Sequence, residues 1–169
     1  MNSRCIYYVE GKCEEQLINA LKQQDPKLIP GKVKVFNIIQ NIIPKSHLLA
    51  IQPGTIVALA FDTDKPVTEY LRKNIMNLRK YCVKVKIIYL AQVLDFEDEM
   101  ERATDVKKAQ ELTKSQSVSN FKSDFCRMKV LECRKMLERH HIKPEILWTT
   151  DVPDEFDFVE KNSNYIKLT

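Results

Sequence analysis

The stretch ALAFDTDKPV, residues 58–67, ends an apolar run on two aspartates, Asp62 and Asp64, one residue apart. Carboxylates at that spacing share one side of an extended backbone, so the pair can serve a single cation. Two further acidic groups stand at similar junctions. YVEGKCEE places Glu10 at the end of a strand-like run, with Gly11 turning the chain and Glu14 entering the next helical turn. LDFEDEM places Glu97, Asp98 and Glu99 just beyond another apolar run. Asp at a strand end is ordinary turn chemistry, and Glu14 in a first helical turn complements the helix dipole. A charge closing an apolar strand, as Glu10 does, must still be solvated, paired or bound to metal. Gathered at one edge, so many carboxylates repel one another unless a cation sits among them. An all-oxygen set of this kind suits Mg²⁺ or Mn²⁺.

The elements that would gather them follow from hydrophobic period. Cys5–Val9 reads as a strand, and residues 14–23 carry a helical stripe of Leu17, Ile18 and Leu21. Residues 32–38 alternate as a second strand. Residues 55–61 are apolar throughout, as a strand covered on both faces is. Residues 67–81 predict a helix, 83–89 a fourth strand, and 96–103 a further helix. Residues 120–141 predict one long amphipathic helix with Ser119 as its N-cap, and 145–149 a short last strand. Alternating strands and helices give an α/β class with a mostly parallel sheet of four to five strands. The domain is expected over residues 1–150, with 151–169 as a C-terminal tail packing on it. Ligands of such sheets bind beyond the carboxyl ends of the strands, which puts all three acidic groups at one edge.

Composition narrows the classes. The chain has 169 residues, 27 basic and 23 acidic, for a formal charge of +4. That balance is too mild to prove a nucleic-acid partner. The cations concentrate, however, in a basic helical segment over 105–143 that includes Lys107, Lys114, Lys122, Arg127 and Lys135. Five scattered cysteines with no C-x-x-C spacing argue against zinc and for reduced thiols. His47, His140 and His141 read as surface residues. No run approaches the roughly 20 apolar residues of a membrane span, so no membrane partner is expected. The N-terminal residues lack a signal-peptide layout, which makes the cytoplasm the expected location. No P-loop motif is present.

Glu10-Gly11, followed by a hydrophobic strand ending in Asp62-Thr63-Asp64, resembles the TOPRIM domain of topoisomerases, DnaG-type primases and OLD-family (overcoming lysogenization defect) nucleases. The OLD-like members add an acid three positions after the Gly, matched by Glu14. They also carry a later acidic stretch, which FEDEM resembles with Glu97, and a late lysine, matched by Lys122 in SNFKSDF. The resemblance spans residues 5 to about 125 and departs where Lys65-Pro66 replace the glycine that often follows Asp-x-Asp.

It implies a TOPRIM (Rossmann-like) fold holding one or two Mg²⁺ or Mn²⁺ ions on Glu10, Glu14, Asp62, Asp64 and Glu97. Glu10, Asp62, Asp64 and Lys122 would be catalytic, and Gly11 would supply the turn. The implied activity is hydrolysis of DNA or RNA by a stand-alone nuclease of phage defence or nucleic-acid processing. The implied partners are nucleic acid, a homodimer mate and a separate ATPase subunit. Primase or topoisomerase work would need further domains. The alternative is a non-catalytic TOPRIM-fold module that binds nucleic acid or regulates. A haloacid-dehalogenase-type phosphatase fits less well, because its Asp-x-Asp ends the first strand and runs into Gly-Thr. Here the motif ends the third strand and runs into Lys-Pro.

Overall fold

The computed structural model describes residues 4–23 and 25–168. The two most apolar runs lie side by side at its centre as β1 (Cys5–Val9) and β3 (Ile56–Asp62). Strand β2 (Lys32–Val35) flanks β1 and β4 (Lys86–Gln92) flanks β3, giving the order β2-β1-β3-β4 with every pair parallel. This is an α/β protein of Rossmann-like architecture.

Alternation sorts each strand between two cores. Tyr7, Val9, Ala58, Ala60, Ile88 and Leu90 face a layer that includes helix α1 (Lys12–Lys22) and helix α4 (Phe96–Ala103). Tyr8, Val57, Leu59, Phe61, Tyr89 and Ala91 face helix α3 (Glu69–Tyr81), with the short helix α2 (Lys45–Leu49) beside it. Fully buried side chains such as Leu17, Ile18 and Leu71 each contribute about 1.5–3 kcal/mol. The parity that puts Ala58 and Ala60 toward α1 also puts Asp62 there, and Gln92 after Leu90 follows the same rule.

Four expectations need correction. The single helix over 120–141 is two helices, α5 (Val118–Arg127) and α6 (Val130–Arg139). Met128 and Lys129 between them are extended, with ψ of 141° and 145°. The Gln16 carboxamide donates to the Met128 carbonyl, and the Lys129 amide donates to Glu132, which opens α6. The apolar period runs straight through the break, from Phe121 and Phe125 to Cys133 and Met136, so pattern alone does not reveal it. The N-cap of α5 is Ser117, not Ser119; its hydroxyl accepts from the Asn120 amide at 3.1 Å. Residues 145–149 form turns rather than a fifth strand, with Trp148 at φ +59°. The fourth strand also lies three residues later than its composition indicates, which brings Gln92 to its end.

Residues after 150 return across the second core. Phe156 stacks on Phe61 at 5.9 Å between ring centroids. Asn162 meets the outer edge of β4: its oxygen accepts from the Tyr89 amide at 2.9 Å, and its nitrogen donates to the Ile87 carbonyl at 3.0 Å. Among the described residues no helix is long and apolar enough to cross a membrane.

Candidate metal centre

Strand order reverses between β1 and β3, since β1 leads outward to β2 while β3 leads the other way to β4. The crevice at the carboxyl ends of those two strands is where such folds bind ligands. Glu10 immediately follows β1, and Asp62 is the last residue of β3. A cleft of about 290 Å³ opens there, lined by Glu10, Gly11, Glu14, Asp62, Phe96 and Lys122 among others. A larger hollow of about 700 Å³ lies at the opposite end of the strands, beside Arg4, Cys5 and Thr55, and contains none of these acids.

Backbone contacts place the carboxylates. The Asp62 amide donates to Glu10 Oε2 at 3.1 Å, tying the ends of the two central strands together. The Gly11 amide donates to Glu14 Oε2 at 3.0 Å, so Glu14 folds back over the start of α1. A Cβ at position 11 would stand 3.3 Å from that oxygen, tighter than ordinary contact. Gly11 has φ −148°, so room for Glu14 rather than a left-handed turn is what the glycine provides. Glu97, in the first turn of α4, is buried and receives the Lys122 ammonium from α5 at 2.7 Å. Glu10, Glu14, Asp62, Glu97 and Lys122 thus converge from two strand ends and three helices.

Burial strains their electrostatics first, and neighbouring negative charge adds to it. Burial pushes the Asp62 carboxyl up to about 9, and the charges of Glu10, Glu14, Asp95 and Asp64 add to the rise. Burial likewise pushes Glu10 up to about 7, opposed by the Asp62 amide and reinforced by Glu14 and Asp64. Glu14 is raised by burial, against the pull of backbone amides and Lys122. Burial works to lower Lys122, but its hydrogen bond to Glu97 and the charges of Glu97 and Asp95 leave it raised.

No known protein-family model matches this chain, and a search among curated proteins returns no relative.

Asp64 stands apart from the other acids. β3 ends at Asp62 because the Thr63 amide turns to the Gln92 and Leu94 carbonyls, at 3.0 and 3.1 Å, and the Thr63 hydroxyl accepts from Leu94. Asp64 is left exposed at the rim, where its charge still reaches Glu10 and Asp62. Glu99 is turned away altogether. It is fully buried, accepts from the Trp148 amide and pairs with Arg102 at 2.8 Å, so it fastens the 146–149 turns to α4. Two contributors escape a motif-based reading. Asp95 caps α4 by accepting from Asp98 at 3.0 Å and adds its charge at Asp62; an Asp just before FEDEM is the available signal. Gln92 is wholly buried, and neither its oxygen nor its nitrogen has a partner; it pairs in register with Asp62 on the adjacent strand.

The donor set suits a hard divalent cation. Asp62 Oδ1 and Glu97 Oε2 are buried with no hydrogen-bond partner, and every acidic side chain at the cleft offers oxygen. Among the described residues no three His, Cys, Asp or Glu side chains already form a ligating group. Each is instead held separately, Glu10 by the Asp62 amide, Glu14 by the Gly11 amide and Glu97 by Lys122.

Proposed function

We propose that this chain is a TOPRIM-like, Mg²⁺- or Mn²⁺-dependent phosphodiesterase that hydrolyses nucleic acid. The observation that carries the reading is the convergence of Glu10, Glu14, Asp62 and Glu97 at the switch-point crevice with the Lys122 ammonium, paired to Glu97, among them. Glu10, Glu14, Asp62 and Glu97 would hold the cation, with Asp64 at the rim adding attractive charge. Such an ion, when bound, activates water and neutralises charge on a phosphoryl group.

The chain's own residues do the rest. Backbone amides of Gly11 and Asp62 fix Glu14 and Glu10, so the carboxylates are oriented before any ligand arrives. Glu97 would share in holding the cation, and Lys122, which pairs with Glu97 at 2.7 Å and lines the cleft, would stabilise negative charge developing on the leaving oxygen of a phosphate there. Exposed Lys12 at the cleft mouth and exposed Lys107, Lys114, Arg127 and Lys135 supply sequence-independent attraction for a phosphate backbone.

Incubation of the protein with single- and double-stranded DNA and RNA, with Mn²⁺ or with EDTA, tests the reading. Cleavage that requires the ion and disappears in Asp62→Asn supports it. Nucleic-acid binding without cleavage in any metal would instead make the chain a non-catalytic module, and neither binding nor cleavage would refute both readings.

A further inference from the structure

Cys13 and Cys126 are 113 residues apart in the chain, yet 3.0 Å separates their sulfurs. Cys13 lies in the first turn of α1, beside Glu14, and lines the acidic cleft. Cys126 lies on α5 one turn beyond Lys122 and is half-buried, so it can be reached from solvent. The Cys13 sulfur also faces the Lys122 carbonyl oxygen at 3.9 Å. All five cysteines are free thiols; Cys5, Cys13, Cys82 and Cys133 are buried, and Cys126 is half-buried.

We infer that Cys13 and Cys126 form a modification site: a dithiol that reacts with a disulfide oxidant of the glutathione class and closes to a cystine joining α1 to α5. Cys126, the more accessible sulfur, attacks one sulfur of the oxidant as the thiolate, breaking its S–S bond and releasing one thiol. Cys13 then attacks the Cys126 sulfur of the mixed disulfide and expels the second thiol. The two protein thiols lose two electrons and two protons, and the oxidant gains both to become two thiols. The new bond spans the cleft wall. It ties the helix that carries Lys122 to the turn that carries Glu10 and Glu14, and a reducing thiol reverses it. This needs neither metal nor nucleic acid, so it stands independently of the phosphodiesterase reading.

The test uses the full chain with oxidised glutathione and a chelator, compared with Cys126→Ser and Cys133→Ser. Expected are an intact mass lower by two hydrogens, a Cys13–Cys126 linked peptide after digestion without reductant, and a Tm rise of at least about 5 °C that dithiothreitol reverses. Cys133→Ser should behave as the wild type, and Cys126→Ser should show none of these changes. A glutathione adduct that persists on Cys126, a Cys126–Cys133 bond, or full retention of both thiols in the folded protein overturns the inference. The peptide map of the wild type decides by itself should a serine variant fold poorly.

Discussion

Replacing Asp62 by asparagine removes a carboxyl whose ionisation the fold strongly opposes. The carboxyl sits at about 9 against an ordinary value of 3.8, so at pH 7 the folded state holds a proton that the unfolded chain has released. A carboxyl raised in this way contributes its full stability below about pH 4 and loses it as pH climbs through 9. Each pH unit between those limits is worth about 1.36 kcal/mol, so a lone Asp62 would cost the fold about 4 kcal/mol at pH 7. Glu10, itself raised to about 7, shares the same repulsion, and the two titrate as a pair. Sharing brings the expected gain of Asp62→Asn to about 2 kcal/mol, or a Tm rise of about 4–8 °C for a chain of this size. Calorimetry at pH 5, 7 and 8.5 in chelator should show the wild type melting progressively lower with pH and the variant following a flatter line. Saturating Mn²⁺ should raise the wild-type Tm and leave the variant almost unmoved. A variant that melts below the wild type in chelator at pH 7, or that keeps the wild-type pH slope, would refute the idea that burial of the Asp62 carboxyl among other acids strains the site.

Lys122→Ala should lower turnover by about 10²-fold without weakening Mn²⁺ binding, as expected of an interaction made mainly in the transition state. Equal losses in turnover and Mn²⁺ affinity, or unchanged turnover, would argue against that role. Gln92→Leu should raise the metal-free Tm slightly, because a buried amide without partners is replaced by an apolar group of similar size. Mn²⁺ titration of the same variant should show weaker binding if that amide orients Asp62, and unchanged affinity would remove Gln92 from the site. Glu99→Ala should destabilise by about 1–3 kcal/mol by leaving the buried Trp148 amide without its acceptor and half-buried Arg102 without its carboxylate, with cleavage intact at low temperature. Chemical denaturation with a parallel activity assay checks this, and loss of activity without loss of stability would place Glu99 in the site.

The centre of the sheet was legible because CIYYV and IVALAFD carry their burial in their composition, and because strand ends collect ligands in parallel sheets. From those two facts the meeting of Glu10, Asp62 and the LDFEDEM acids follows without coordinates, while Glu14 and Glu97 were singled out by the TOPRIM resemblance. Asp64 did not follow, since strand alternation was carried one step past the point where Thr63 leaves the ladder for Gln92 and Leu94. Gln92 was hidden by a strand boundary three residues off. The break at Met128 was hidden because Gln16, 112 residues away, stabilises it through a contact that local period does not encode. The meeting of Cys13 and Cys126 was invisible for the same reason. Within LDFEDEM, composition and period do not separate Glu97, which faces the cleft, from Glu99, which faces the opposite way; the resemblance singles out Glu97, and the phase of α4 on the sheet is what parts the two.

The Asn162 amide that meets β4 imitates a peptide group, offering one donor and one acceptor where a fifth strand would pair. The other flank, β2, is protected differently, by Lys32 and Lys34 alternating along KVKV. One flank is therefore sealed by the protein's own chain and is indifferent to salt, while the other relies on charge and loses its protection as ionic strength rises. Self-association through the sheet can then proceed on a single side. Two copies joined along β2 would present only Asn162-sealed flanks to the outside, so growth ends at a closed pair and does not continue into a fibre.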